Sequence, residues 1–89
     1  MSREESHFVY IVQCSDDSLY TGYAKDVERR VAEHNGEGAA DGARYTRGRR
    51  PVHLVYQEVF ESRSAAQKRE HEIKQLSKRD KLQLLKKSS

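Results

Sequence analysis

Tyr10 and Tyr20 stand ten residues apart, and Arg30 and His34 follow with the spacing of one helical turn. Gly22 comes two positions after the second tyrosine. Two phenols, a guanidinium and an imidazole are the parts from which a phosphodiester-cleaving site can be assembled. That reaction needs a deprotonated water, neutralised charge on the phosphate and help for the leaving oxygen. Arg30 offers a fixed charge and forked donors that match phosphate oxygens. A phenol can orient or deprotonate water, provided its ordinary pKa near 10 is shifted. His34 can serve as base, or hydrogen-bond a tyrosine or the phosphate. Each has a plainer reading: two core tyrosines with satisfied hydroxyls, an exposed helix arginine and a structural histidine.

The elements that must position these groups are legible. His7 to Cys14 is rich in β-branched and aromatic residues and reads as a strand. Ser15 to Ser18 is turn chemistry, and Leu19 to Tyr23 reads as the second arm of a hairpin. Tyr10 and Tyr20 are both even-numbered, compatible with a shared sheet face. Asp26 caps a helix running to about His34, with Glu28 in its first turn and Asn35-Gly36 as its stop. Val27, Val31 and His34 fall on one face of it, and Arg30 borders that face whereas Arg29 does not.

Residues 36–51 read as a loop, and Val52 to Phe60 as a third strand. Ser64 with Gln67 has the form of a capping box for a helix whose stripe carries Ala66, Arg69 or Glu70, Ile73 and Leu76. Ser77 with Asp80 opens a last helix bearing Leu82 and Leu85. The expected fold is α+β in the order β-β-α-β-α-α, a small three-stranded antiparallel sheet flanked by helices. One domain over residues 1–89 is expected, with its core at about 7–85.

Composition narrows the class. Hydrophobic and charged residues are each 35%, enough core formers for a folded domain. The longest apolar runs are far too short for a membrane span. Residues 1–6 lack the apolar stretch of a signal peptide, and the single Cys14 excludes an internal disulfide and a cysteine-rich zinc site. A cytoplasmic location is expected. Residues 1–41 hold 4 Lys/Arg against 9 Asp/Glu, whereas residues 42–89 hold 13 against 5. The second half therefore builds a basic surface suited to a polyanion. Arg44, Tyr45, Arg47, Arg49 and Arg50 are its densest part, arginines for phosphates and Tyr45 for stacking on an unpaired base.

Phe8-Val9-Tyr10 and Tyr20-Thr21-Gly22 resemble the two half-motifs of the GIY-YIG endonuclease superfamily. Tyr23 to Arg30 continues into the family's helix with His34 a turn later, and Ala66 to Glu70 resembles the helix bearing its metal-binding glutamate. The likeness is greatest to small members that consist of little but this domain. Phe8 stands where the first glycine would be, and Val9 and Thr21 replace both isoleucines. The resemblance implies a nuclease acting on DNA, with roles in repair or recombination and selectivity drawn from a substrate shape, a homodimer or a protein partner. It implies Tyr10, Tyr20, Arg30, His34 and Glu70 as catalytic residues, without fixing which tyrosine is the base. Gly22 would have a backbone role beside them. Glu70 would hold Mg2+ or Mn2+; its plainer reading is a salt bridge to Arg29, Arg30 or a nearby lysine. The alternative function is a nucleic-acid-binding module with little catalysis, or an interaction subunit of a repair assembly.

Overall fold

The computed structural model describes residues 6–36 and 44–88. Strand β1 (His7–Gln13) is the centre of a three-stranded sheet ordered β2-β1-β3, with β2 at Leu19–Ala24 and β3 at His53–Phe60. Both pairings are antiparallel. Around the sheet stand α1 (Val27–His34), a single turn α2 (Arg44–Arg47), α3 (Arg63–Lys74) and α4 (Lys78–Ser88). The sheet and the three longer helices are those expected from the sequence. The turn α2 corrects the reading of 36–51 as loop throughout. A four-residue helix has too few internal bonds to hold itself; here the side chain of Thr46, fully buried, anchors it, and its carbonyl accepts from Arg49 N at 2.9 Å.

β1 reads as an unbroken apolar run because both of its faces are covered. Tyr10, Val12 and Cys14 point to one side with Ala24, Val27 and Val52, beneath α1. Val9 and Ile11 point to the other with Leu19, Ala66 and Ile73, beneath α3 and α4. Val9, Ile11 and Val12 are fully buried, and each contributes about 1.5–3 kcal/mol by leaving water. Between Ile11 and Val12 the pairing with β3 shifts, so that Ile11 faces Tyr56 and Val12 faces Leu54.

The hairpin turn places Asp17 at φ 69°, a conformation that Asp tolerates, and Asp16 accepts from Ser18 N at 3.1 Å. Asp26 caps α1 by accepting from Arg29 N at 3.1 Å. Asn35 ends it and clamps the start of β3, donating to Val52 O at 3.1 Å and accepting from Val52 N at 2.7 Å. α3 is capped by Ser62, which accepts from Ala65 N at 3.1 Å, and not by Ser64. The helix begins at Arg63, one residue before the capping-box signature, so Ser64 and Gln67 lie inside it and are exposed. Ser77 caps α4 as expected, accepting from Asp80 N at 3.1 Å.

Candidate active site

The pairing of the hairpin decides where the tyrosines go. Tyr10 faces Gly22, and Tyr20 faces Val12 two pairs further toward the turn. Paired residues share a face, so both phenols project toward α1. The Tyr10 ring lies directly across Gly22: a Cβ at position 22 would come within 2.4 Å of the Tyr10 hydroxyl and 2.5 Å of its Cζ. No side chain fits there. Gly22 thus lets the phenol cross β2 toward the open edge of the sheet.

His34 receives it. Tyr10 and His34 are both buried, and the Tyr10 hydroxyl lies 2.7 Å from His34 Nε2. On the other side of the ring, His34 Nδ1 is 2.8 Å from Thr46 Oγ1. Tyr20 meets the same imidazole edge-on, with ring centroids 5.3 Å apart. Arg50 Nε donates to the His34 carbonyl at 2.7 Å, closing the end of α1. His34 is therefore the hub of the site, tied to two strands, α2 and the segment before β3.

Electrostatics fix the protons. Burial lowers the His34 pKa to about 4, with the Arg30 and Arg50 guanidinium groups adding to it against Glu33. The ring is neutral at physiological pH. Burial and the neighbouring Tyr20 push the Tyr10 phenol well above its usual range; Arg30 pulls it down, and the Glu70 carboxylate pushes it up. Tyr10 is accordingly protonated and donates to Nε2, which leaves Nδ1–H to donate to Thr46.

A pH dependence of stability follows. Because the folded pKa lies below the unfolded value near 6.5, protonation favours the unfolded chain. Stability from this group is complete above pH 6.5 and is lost as pH falls toward about 4, a cost of about 3 kcal/mol. Urea midpoints measured between pH 7 and 4.5 should fall more steeply in the parent protein than in His34→Gln. Parallel curves would exclude His34 as the source.

Arg30 reaches the same place from α1. Its guanidinium lies beside the Tyr10 phenol and donates to Glu33 Oε1 at 2.9 Å. Arg29 sits outside, mostly exposed, with a 3.3 Å pair to Glu33. Glu70 comes from α3 on the opposite side, close enough for its charge to act on Tyr10. It pairs at 3.1 Å with Lys74 of its own helix rather than with Arg29 or Arg30. Its neighbour Arg69 turns away to β3, where two of its nitrogens bond the Glu58 carboxylate at 3.0 and 3.2 Å, and Tyr56 donates to the same carboxylate. The stripe that admitted Arg69 or Glu70 is thereby divided: Arg69 fastens α3 to β3, and Glu70 lies on the side from which its charge reaches Tyr10.

The basic segment is less uniform than its composition implied. The side chains of Arg44 and Tyr45 lie outside the described residues. Arg47 is exposed, Arg49 pairs with Asp16 at 3.0 Å, and Arg50 is bonded to the His34 carbonyl. Thr46, in the middle of this segment, is a site residue that the sequence reading missed. His7 bonds Tyr23 at 2.7 Å, and Cys14 is a buried free thiol. Among the described residues no three His, Cys, Asp or Glu side chains converge as a metal cluster, and no helix is long and apolar enough to cross a membrane.

Comparisons with known proteins give matches over most of the chain. A family model described as the GIY-YIG catalytic domain matches residues 6–83. A UPF0213 protein of Staphylococcus aureus is 62% identical over 82 residues, which cover 92% of this chain and 96% of the relative. The solution NMR structure of the UPF0213 protein BH0048 from Bacillus halodurans is similar with a TM-score of 0.58 at 47% identity, covering 91% of this chain and 83% of that one. That of the protein EF2693 from E. faecalis gives a TM-score of 0.63 at 40% identity, covering 98% and 90%.

Proposed function

Because the chain belongs to the GIY-YIG catalytic-domain family, we propose that it is a divalent-cation-dependent endonuclease hydrolysing phosphodiester bonds in DNA. The observation that carries this reading is the buried Tyr10–His34 hydrogen bond with Arg30 beside the phenol and Glu70 acting on it from the opposite helix.

Glu70 suits a hard cation of the Mg2+ or Mn2+ kind. It is a single carboxylate, sheltered, with Lys74 as its ion-pair partner. Such cations are commonly held by one or two carboxylates, several waters and the phosphate itself, rather than by a full protein cage. When bound, the ion would polarise the phosphate and stabilise the leaving oxygen.

The chain's own residues account for the rest. Arg30 clamps the phosphate through its forked donors. Tyr10, protonated at rest, takes a proton from water only as its own passes to His34 Nε2, so the phenol acts as a relay and not as a standing phenolate. Neutral His34 is the acceptor this requires, and Thr46 holds its ring in the correct tautomer. Tyr20, edge-on against His34, positions the water.

A binding module with little catalysis is favoured by one observation: the Tyr10 phenol is 1% exposed and raised in pKa. Cleavage of a labelled panel (single strand, duplex, flap, fork, four-way junction) with Mg2+ or Mn2+, beside Glu70→Ala, separates the two. Metal-dependent cutting that disappears in the variant supports the nuclease and ranks its substrates, including branched DNA of repair or recombination. Salt-sensitive binding without turnover on any member establishes the module instead.

A further inference from the structure

β2 is an edge strand, and its outer side carries the site: the Tyr10 ring crosses it at Gly22, with Arg30 arriving from one face and Glu70 from the other. Two grooves flank that point, one at each end of β2. The first, of about 290 Å³, lies where the strand enters α1 and is lined by Lys25, Arg29 and Arg30 together with the carboxylates Asp26 and Glu33. The second, of about 270 Å³, lies at the hairpin turn and is lined by Asp16, Ser18, Leu19, Lys78 and Lys81.

The charges of the second groove do not cancel. Asp16, its one carboxylate, is held by Arg49 at 3.0 Å. No carboxylate of the described residues forms an ion pair with Lys78 or Lys81. Lys81 is half-buried, and burial together with the nearby Lys74 ammonium holds it below the usual lysine range. Lys74 in turn sits 3.1 Å from Glu70. A row of ammonium groups thus leads from the candidate cation ligand to the turn end of β2. Uncompensated cations drawn together in a groove are the footprint of a polyanion.

We propose that one strand of DNA runs along the open edge of β2, its phosphates beyond the scissile bond held by Lys78 and Lys81 at the hairpin turn. This rests on the nuclease reading and adds a direction to it. The strand passes from the groove of Lys25 and Arg29, across Arg30 and Glu70, to the lysines of α4. The six residues of β2 span about 20 Å, room for several nucleotides on either side of the cut.

The test uses binding, so that it does not depend on turnover. Affinity for a fluorescent single-stranded DNA of ~20 nucleotides is measured against salt concentration. Three proteins are compared: Glu70→Ala alone, with Lys78→Ala/Lys81→Ala, and with Lys86→Ala/Lys87→Ala as a control of equal charge loss. The expected result is that the slope of log affinity against log salt becomes shallower by about 1.4 with the first pair, as two lost single-strand phosphate contacts require, and stays near the parent value with the second. An unchanged slope, or an equal fall in the control pair, would overturn the track while leaving the nuclease reading standing. Absence of salt-sensitive binding in all three proteins would overturn the nucleic-acid reading itself, and the track with it.

Discussion

Arg30→Ala and Glu70→Ala are each expected to lower cleavage by roughly 10³-fold or more, the scale on which positioned charges act in phosphoryl chemistry, while the fold survives. The fold survives because neither side chain holds much of it. Arg30 is bonded to Glu33 three residues along its own helix and Glu70 to Lys74 four along, surface-type pairs that contribute about 0.3–0.5 kcal/mol. Activity falls because nothing nearby replaces either group. Arg29 points outward to Glu33, and Arg69 is committed to Glu58. Removing Arg30 also removes the cation that draws the Tyr10 phenol down, leaving burial and Glu70 to raise it further. Arg30→Lys should recover part of the loss, since it restores the charge but not the fork. Single-turnover cleavage with Mg2+, beside thermal melts, checks this. Wild-type rates in either alanine variant would remove that residue from the site.

His34→Ala carries the largest expected cost in stability. The imidazole is fully buried, and its removal leaves a cavity and takes from the Tyr10 and Thr46 hydroxyls the ring nitrogens they bond. A buried group left without its bond costs about 1–3 kcal/mol, and the cavity adds to that. A total of about 3–5 kcal/mol is a large share of the 5–15 kcal/mol typical of a domain. α2 should loosen with it, because Thr46 is its anchor. Denaturant titration gives the cost, and amide exchange at Thr46 and Arg49 reports the loosening. A variant losing less than about 1 kcal/mol would mean that the Tyr10–His34–Thr46 chain is not what holds these segments together.

Much of this was legible in the sequence, for reasons that differ from element to element. β1 and β2 announced themselves through β-branched and aromatic residues around a polar turn, and α1 through Asp26 and Asn35-Gly36, whose caps act on their immediate neighbours. Ser77 did the same for α4. The register of Arg30 against Val27 and His34 separated it from Arg29 before any coordinates. What failed was long-range or ambiguous. The Thr46–His34 bond joins residues twelve apart, and no local pattern marks a threonine among arginines as a buried anchor. That Arg49 bonds Asp16 and Arg50 the His34 carbonyl was equally invisible to composition. Ser64 with Gln67 read as the cap of α3, whereas Ser62, two residues earlier, caps it.

The two glycines that give the motif its letters are not equivalent in this chain. The first is absent: Phe8 takes its place, half-buried between Ala24 and Val59 in the sheet, and β1 accommodates it. The second is the shadow of a ring. Gly22 is small because Tyr10 occupies the volume its side chain would need. Read as inheritance, position 8 is free of position 22, whereas positions 10 and 22 are a single character written in two places, and a lineage that loses the ring is released from keeping the glycine.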